Sequence, residues 1–144
     1  MIQDVISASV GLVYVILIIL FLYTRNPIHI RAFCGAFLVI LTEYTKRLIG
    51  KKSTRPEGAT NCNFLCNNGD VSGQPGMPSG HSLNAAFFAG FYYQYTNNVF
   101  IRSGLIVYAG LIMLSRYIKK CHTIGQISIG ASIGFIFSRI LYRI

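Results

Sequence analysis

The run MPSGHS at residues 77–82 could place an anion-binding site at the first turn of a helix. A proline that begins a helix leaves backbone N–H groups and the positive end of the helix dipole directed at an anion. Gly80 would let a phosphate approach the backbone closely. Ser79 has an ordinary alternative as a helix cap, and His81 alone is more often an interfacial polar residue than a catalyst. Alone, this run is a weak signal.

A second histidine stands in the pattern Ser-Arg-x5-His, formed by Ser115, Arg116 and His122, with Gln126 four residues further on. A neutral imidazole can act as a nucleophile, and its pKa also suits proton transfer near neutral pH. A glutamine carbonyl can accept the other imidazole N–H and select the tautomer. Singly, an arginine and a histidine at a membrane helix boundary are ordinary snorkelling groups.

The third cluster is basic and precedes both histidines. Taken alone, it indicates a cationic anchor beside lipid head groups. Its members are Lys46, Arg47, Lys51, Lys52 and Arg55, and Pro56 follows directly.

The composition predicts that a membrane holds these clusters. Hydrophobic residues make up 53% of the 144 residues and charged residues only 12%, whereas soluble domains carry about 25% charged residues. Thirteen Lys and Arg face four Asp and Glu. Such an excess suits an anionic membrane surface or a phosphate-bearing substrate, and the hydrophobicity argues against a nucleic-acid partner.

The chain is predicted to be a single integral-membrane domain over residues 1–144, an all-α bundle of about five transmembrane helices. The first apolar stretch follows Asp4 and is long enough to cross a hydrocarbon core of about 30 Å. It lacks the basic start of a signal peptide, which favours a retained helix. The second must continue through Lys46 to reach across. The predicted spans are residues 5–24, 30–49, 79–97, 99–118 and 124–142, and the long polar loop is 50–78.

A topology of five spans places the three residue clusters on the same side of the membrane. The end of the second helix, the start of the third and the junction between the fourth and fifth must all lie on one side of the membrane. All three clusters lie at those places. The loop between the second and third helices is long for so small a domain, and such loops are usually functional or disordered.

Taken together, the clusters resemble the three-part signature of the type 2 phosphatidic acid phosphatase superfamily: a Lys ahead of Arg-Pro, then Pro-Ser-Gly-His, then Ser-Arg with a His six residues after the Arg. The resemblance covers about residues 46–126 and implies a membrane phosphatase that works without a cofactor or metal. It implies that His122 is the nucleophile and that His81 protonates the leaving oxygen. The implied phosphate ligands are Lys46, Arg55, Ser79, Gly80 and Arg116.

Two positions depart from the family pattern. Eight residues separate Lys46 from Arg55, two more than is usual, and the stretch from Lys46 to Gly50 favours an insertion after that glycine; Arg47 is the alternative ligand. Gln126 stands where most members have an aspartate. Its carbonyl can orient His122, but it offers no negative charge to the developing cation.

The sequences HTIGQISIG and GMPSGHS resemble the dolichyl-diphosphatase branch most closely. They imply a polyisoprenyl diphosphate substrate and a membrane of the endoplasmic-reticulum type. Three alternatives stay open: a broad phosphatase for phosphatidic acid or isoprenoid phosphates, glucose-6-phosphatases, which share the glutamine but are much longer, and a non-catalytic lipid-binding protein that keeps the fold. A homo-oligomer is also compatible with the sequence.

The sequence leaves the bonding state of the loop cysteines open. Cys34 lies in a predicted span and is expected to be a packing residue. Cys62 and Cys66 lie in the loop, where they could form a disulfide, remain free thiols or bind a metal. A disulfide or free thiols are favoured, because the loop lacks two further zinc ligands. Cys121 has no assigned partner. The four acidic residues are too scattered to hold magnesium.

Overall fold

The computed structural model describes residues 2–49 and 52–144, and within them the chain is an all-α bundle of six helices with two isolated β-bridges and no strand. The predicted fold class is thus confirmed. In chain order, the helices are α1 (Ile2–Thr24), α2 (Pro27–Ala36), α3 (Val39–Ile49), α4 (Gly80–Tyr95), α5 (Val99–Ile118) and α6 (Ile124–Arg143).

The second predicted span, residues 30–49, is two helices instead of one. α2 ends at Ala36, and α3 begins at Val39. At the break, the N–H groups of Phe37 and Leu38 donate to carbonyls three residues earlier, at 3.2 and 3.0 Å, which is the tighter 3₁₀ pattern. Gly35 favours an end here, because glycine is a poor helix former, and it packs so closely on the ring of Phe87 that no Cβ would fit.

α4 is the central helix of the bundle. Twelve of its sixteen residues are buried, and at 1.5 Å per residue it is about 24 Å long. Burial on all sides explains why its sequence has no polar face. The side chain of Asn84 donates to the hydroxyl of Tyr14 at 2.7 Å, and that hydroxyl donates to the carbonyl of Ala36 at 2.9 Å. These bonds tie α4 to α1 and α2 inside the apolar interior.

Small residues let α6 pack directly on the backbone of α4. Gly130, Gly134 and Ser138 recur every four residues on one face of α6, and all three are buried. A Cβ at Gly130 would lie 2.5 Å from the carbonyl oxygen of Ser79, and one at Gly134 would collide with the carbonyl oxygen of Leu83. Close packing through small residues is typical of membrane helices, and here it sets the start of α4 against the start of α6.

Three helices, α1, α5 and α6, are long and apolar enough to cross a membrane. Many of their large apolar side chains are exposed on the outside of the bundle, among them Leu12, Ile19, Leu111, Phe135 and Ile136. A soluble protein rarely exposes so much contiguous apolar surface, so the chain is a membrane protein. The number of five spans stays a prediction.

The structure describes residues 52–78 of the predicted polar loop. Two segments run antiparallel: the N–H of Arg55 donates to the carbonyl of Gln74, and the N–H of Val71 to that of Ala59, both at 2.8 Å. Where they approach the bundle, Ala59, Cys62, Val71 and Cys121 form a small buried cluster.

A disulfide joins Cys62 to Cys121, with Cα atoms 5.5 Å apart. Cys66 and Cys34 are free thiols. Neither favoured alternative for the two loop cysteines, a Cys62–Cys66 disulfide or two free thiols, is correct, because Cys62 pairs outside the loop and Cys66 is free. No partner for Cys121 could be predicted, because the fold brings the α5–α6 junction to the loop across a sequence separation of 59 residues.

Substitution of the α6 glycines should test the packing that sets α4 against α6. Gly134→Ala should lower the midpoint of thermal unfolding in detergent, because its Cβ would meet helix backbone that cannot move aside; overpacking of this kind costs about 1–3 kcal/mol. Gly104→Ala is the matched control, since Gly104 is an exposed α5 residue with open space around it. Equal midpoints for the two variants would contradict the packing.

Candidate active site

A cavity of about 390 Å³ opens where the end of α3, the start of α4, the α5–α6 junction and the loop meet. This is the convergence that the five-span topology predicted. Its walls combine cations with both candidate catalytic histidines. The predicted site residues that line it are Lys46, Arg55, Gly80, His81 and His122.

His122 is held by a hydrogen-bond partner at each ring nitrogen. Its Nε2 lies 3.3 Å from Nη1 of Arg55, and its Nδ1 lies 3.2 Å from Oε1 of Gln126. A guanidinium can only donate, so Nε2 accepts and carries the lone pair. The proton is then on Nδ1 and is donated to Gln126. This tautomer places the nucleophilic lone pair on Nε2 at the cavity side, and the Arg55 guanidinium must turn from Nε2 to a bound anion before that lone pair can attack.

The orientation of the Gln126 amide follows from its other contacts. Oε1 also accepts the backbone N–H of Thr123 at 3.2 Å, which closes the capping box of α6. Nε2 donates to the carbonyl oxygen of Thr54 at 2.8 Å and lies 3.0 Å from the hydroxyl of Ser53. A donor must face the Thr54 carbonyl, so Oε1 must face His122. Gly76 packs against this amide without room for a Cβ.

The imidazole of His122 stays neutral. Burial lowers its pKa to about 2, and the positive charges of Arg55, Arg116 and Lys46 add to the effect, opposed only weakly by the hydrogen bond to Gln126. A group with so low a pKa is unprotonated throughout the physiological pH range, which leaves its lone pair available.

His81 lies in the first turn of α4 and is buried. The ring of Phe64, from the loop, stacks on it with centroids 4.5 Å apart and planes 22° from parallel. Within the described part of the chain, Nε2 of His81 has no hydrogen-bond partner. Buried ring nitrogens normally have one, so this atom is suited to a ligand in the cavity.

Both candidate arginines donate to backbone carbonyls of the two bridged cysteines. Nη1 of Arg55 donates to the carbonyl of Cys121 at 3.0 Å, and Nη2 of Arg116 to that of Cys62 at 2.5 Å. Arg116 is fully buried, and its other Nη donates to the hydroxyl of Ser7. Its Nε has no partner among the described residues.

Ser79 and Arg116 are buried near the cavity but do not form its wall. Ser79 is the N-cap of α4: its hydroxyl oxygen accepts the backbone N–H of Ser82 at 3.4 Å, and the Ser82 hydroxyl lies 3.0 Å away. Ser79 therefore acts as a helix cap in this structure. Gly80 begins the helix and does line the cavity.

Lys46 lies in the last turn of α3 and is buried, while Arg47 beside it is exposed. Both line the cavity, and the buried one is better placed for an enclosed phosphate. The proposed insertion after Gly50 lies outside the described residues.

Sequence reasoning missed several residues of this site. Phe64 could have been noticed as an aromatic residue between two cysteines of a polar loop. Nothing in the sequence marks Ser53 or Thr54 as site residues. The Ser53 hydroxyl and the Thr54 backbone carbonyl reach Gln126 only through the fold. In residues 2–49 and 52–144, no group of three His, Cys, Asp or Glu side chains could hold a metal ion; the metal-free mechanism stays a prediction.

The sequence profile of the PAP2 superfamily matches residues 27–144 of the chain. No curated protein and no solved structure gives a significant match. The matched region includes every residue of the candidate site. The chain therefore belongs to the PAP2 superfamily, whose members are phosphatases acting on phosphate esters.

Proposed function

We propose that this protein hydrolyses a lipid phosphate or diphosphate through a phosphohistidine intermediate on His122, without a metal. The observation that carries the proposal is the neutral imidazole of His122, whose Nε2 lone pair lies on the wall of a cation-lined cavity, 3.3 Å from Arg55. An uncharged nucleophile next to positive charge is the combination that an anionic phosphoryl group requires.

In the first step, Nε2 of His122 attacks phosphorus and forms the P–N bond while the P–O bond to the leaving group breaks. The negative charge of the bound phosphoryl group favours the protonated form of His81, which gives its proton to the departing oxygen. In the second step, His81 removes a proton from water, the resulting hydroxide attacks phosphorus and the P–N bond breaks. Inorganic phosphate leaves, and both histidines return to their starting state.

Charge stabilisation is assigned to the surrounding cations. Phosphoryl transfer depends mainly on positioning and on neutralising charge on the equatorial oxygens. Lys46 and Arg55 line the cavity, and the backbone at Gly80 presents the N-terminal end of α4 to it. Arg116 does not line the cavity, but its positive charge reaches His122.

A lipid is the substrate class that best suits this arrangement. The cavity lies at the ends of helices whose outer faces are apolar, so a phosphate could enter it while the attached hydrocarbon stays in the bilayer. Gln126 and the flanking motifs resemble those of dolichyl diphosphatases, which favours a polyisoprenyl diphosphate. A broader specificity that includes phosphatidic acid is the alternative.

We further propose a multi-pass protein of an endoplasmic-reticulum-type membrane, with the cavity on the lumenal side. The Cys62–Cys121 disulfide supports this orientation, because disulfides persist in oxidising compartments and are rare where thiols are kept reduced.

Replacement of His122 tests the proposal. Detergent-purified protein should release phosphate from dolichyl diphosphate and farnesyl diphosphate faster than from phosphatidic acid, and far faster than from glucose 6-phosphate. His122→Gln should lower the rate on the order of 10⁴-fold or more, because the group that forms the covalent intermediate is removed.

His29→Gln is the matched control, since His29 is a buried histidine of α2 that contacts Tyr92 at 2.6 Å and does not line the cavity. It should retain activity. Wild-type phosphate release from the His122→Gln variant would refute the nucleophile. Release from phosphatidic acid at an equal or higher rate than from the diphosphates would refute the preferred substrate.

Gln126→Glu should slow phosphate release, although it adds the negative charge that most family members have at this position. Its carboxylate would face the carbonyl oxygen of Thr54, where Gln126 now donates. A lost buried hydrogen bond costs about 1–3 kcal/mol, which corresponds to about a tenfold to hundredfold loss if the orientation of His122 depends on it.

The control is Gln94→Glu, because the Gln94 amide also donates to backbone carbonyls, those of Gly90 and Ser138, at the other end of α4. Phosphate release should be measured for both variants from pH 5 to 8. The Gln126→Glu variant should recover towards low pH, where a protonated carboxyl can donate to Thr54. If the Gln126→Glu variant released phosphate at or above the wild-type rate at pH 7.5, the assigned amide orientation would be contradicted.

A further inference from the structure

The Cys62–Cys121 disulfide crosses the candidate site. Cys62 belongs to the loop, and Cys121 directly precedes His122 at the α5–α6 junction. Both cysteines are buried. The bridge therefore fixes the loop to the segment that carries the nucleophile.

The backbone carbonyls of the two cysteines hold the two candidate phosphate-binding arginines crosswise. Arg55, from the loop, donates to the carbonyl of Cys121 at the junction. Arg116, from the end of α5, donates to the carbonyl of Cys62 in the loop. The position of each guanidinium group thus depends on a carbonyl in the other segment. The disulfide sets the distance between the two segments.

Hydrogen bonds also hold the loop there: Nζ of Lys119 donates to the carbonyl of Asn61 at 2.9 Å, and Nε2 of Gln126 donates to that of Thr54 at 2.8 Å. The disulfide is the covalent link at this point. The buried apolar cluster at this point consists of Ala59, Val71 and the two bridged cysteines, a small set compared with an ordinary core. Many of the other hydrogen bonds of the loop join its own two segments. Phe64, two residues after Cys62, carries the same constraint to His81 by stacking on its ring.

We propose that the Cys62–Cys121 disulfide is a positioning element for phosphate binding. It keeps the guanidinium group of Arg55 in the geometry that receives a phosphoryl group and holds the positive charge of Arg116 near His122. Its opening weakens phosphate binding more than it slows the chemical step. The His122–Gln126–Thr54 hydrogen bonds do not include either cysteine, so the nucleophile keeps its tautomer when the bridge is open. This inference rests on the proposed function.

The experiment compares the full-length Cys62→Ala/Cys121→Ala variant and both single variants with wild type. Farnesyl diphosphate is the substrate, and orthovanadate is the phosphate-like inhibitor. Cys66→Ala is the matched control, because it removes a loop thiol that forms no disulfide. Maleimide labelling under denaturing conditions counts free thiols, and thermal unfolding shows whether each variant is folded. Wild type treated with a phosphine reductant gives the same comparison without mutation.

Opening the bridge should raise KM and the orthovanadate inhibition constant about tenfold or more, since a misplacement of about 1 Å can cost on the order of a hundredfold. kcat should fall by less. The double variant should lose no more than either single variant, because each breaks the same bond. Cys66→Ala should match wild type.

Four free thiols in active, untreated wild type would overturn the inference, and so would unchanged KM and orthovanadate inhibition in folded protein with the bridge open. Failure of the proposed function looks different: oxidised wild type would release no phosphate from any substrate. In that case, the rise in unfolding temperature that orthovanadate induces tests the inference. This rise should be smaller when the bridge is open, and an equal rise would refute the inference.

Discussion

The hydrogen bond from Nδ1 of His122 to Oε1 of Gln126 joins the α5–α6 junction to the first turn of α6, and the geometry of the site depends on it. Oε1 of Gln126 faces His122 and accepts this hydrogen bond because the amide nitrogen is already committed as a donor. Oε1 also receives the backbone N–H of Thr123, and Nε2 donates to the carbonyl of Thr54. The backbone of Gln126 in turn accepts the N–H of Ser79 at 3.1 Å. One residue thereby connects the nucleophile, the loop and the start of α4.

This arrangement also resolves a conflict between charge and nucleophilicity. A phosphate site needs cations, yet cations and burial both favour a neutral histidine, as the low pKa of His122 shows. An attacking imidazole must be neutral, so the same field that binds the phosphoryl group keeps the nucleophile ready. A glutamine in place of an aspartate fits this environment, because its Nε2 donates to the Thr54 carbonyl, which a carboxylate cannot do. The cost is weaker stabilisation of the phosphorylated imidazole, which carries positive charge.

Much of the fold could be predicted from local sequence. α5 begins and ends at the predicted residues, and α6 differs by one residue at its end, because apolar length, Asn98 and Thr123 caps and flanking polar residues are local signals. The meeting of the three clusters followed from topology alone. The break between α2 and α3 did not, since it depends on the packing of Gly35 against Phe87. The disulfide, the stacking of Phe64 and the Thr54 carbonyl also escaped prediction, because each is a contact between segments far apart in the chain.

The most direct test of the account is to trap and locate the covalent intermediate. Wild-type protein should be mixed with a ³²P-labelled isoprenoid diphosphate, quenched in alkali within the first turnovers, digested and analysed by mass spectrometry. We expect an alkali-stable, acid-labile phosphoryl group on His122, attached to Nε2, because Nδ1 carries the hydrogen that is shared with Gln126. Phosphate attached to any other residue, or to Nδ1 of His122, would contradict the account.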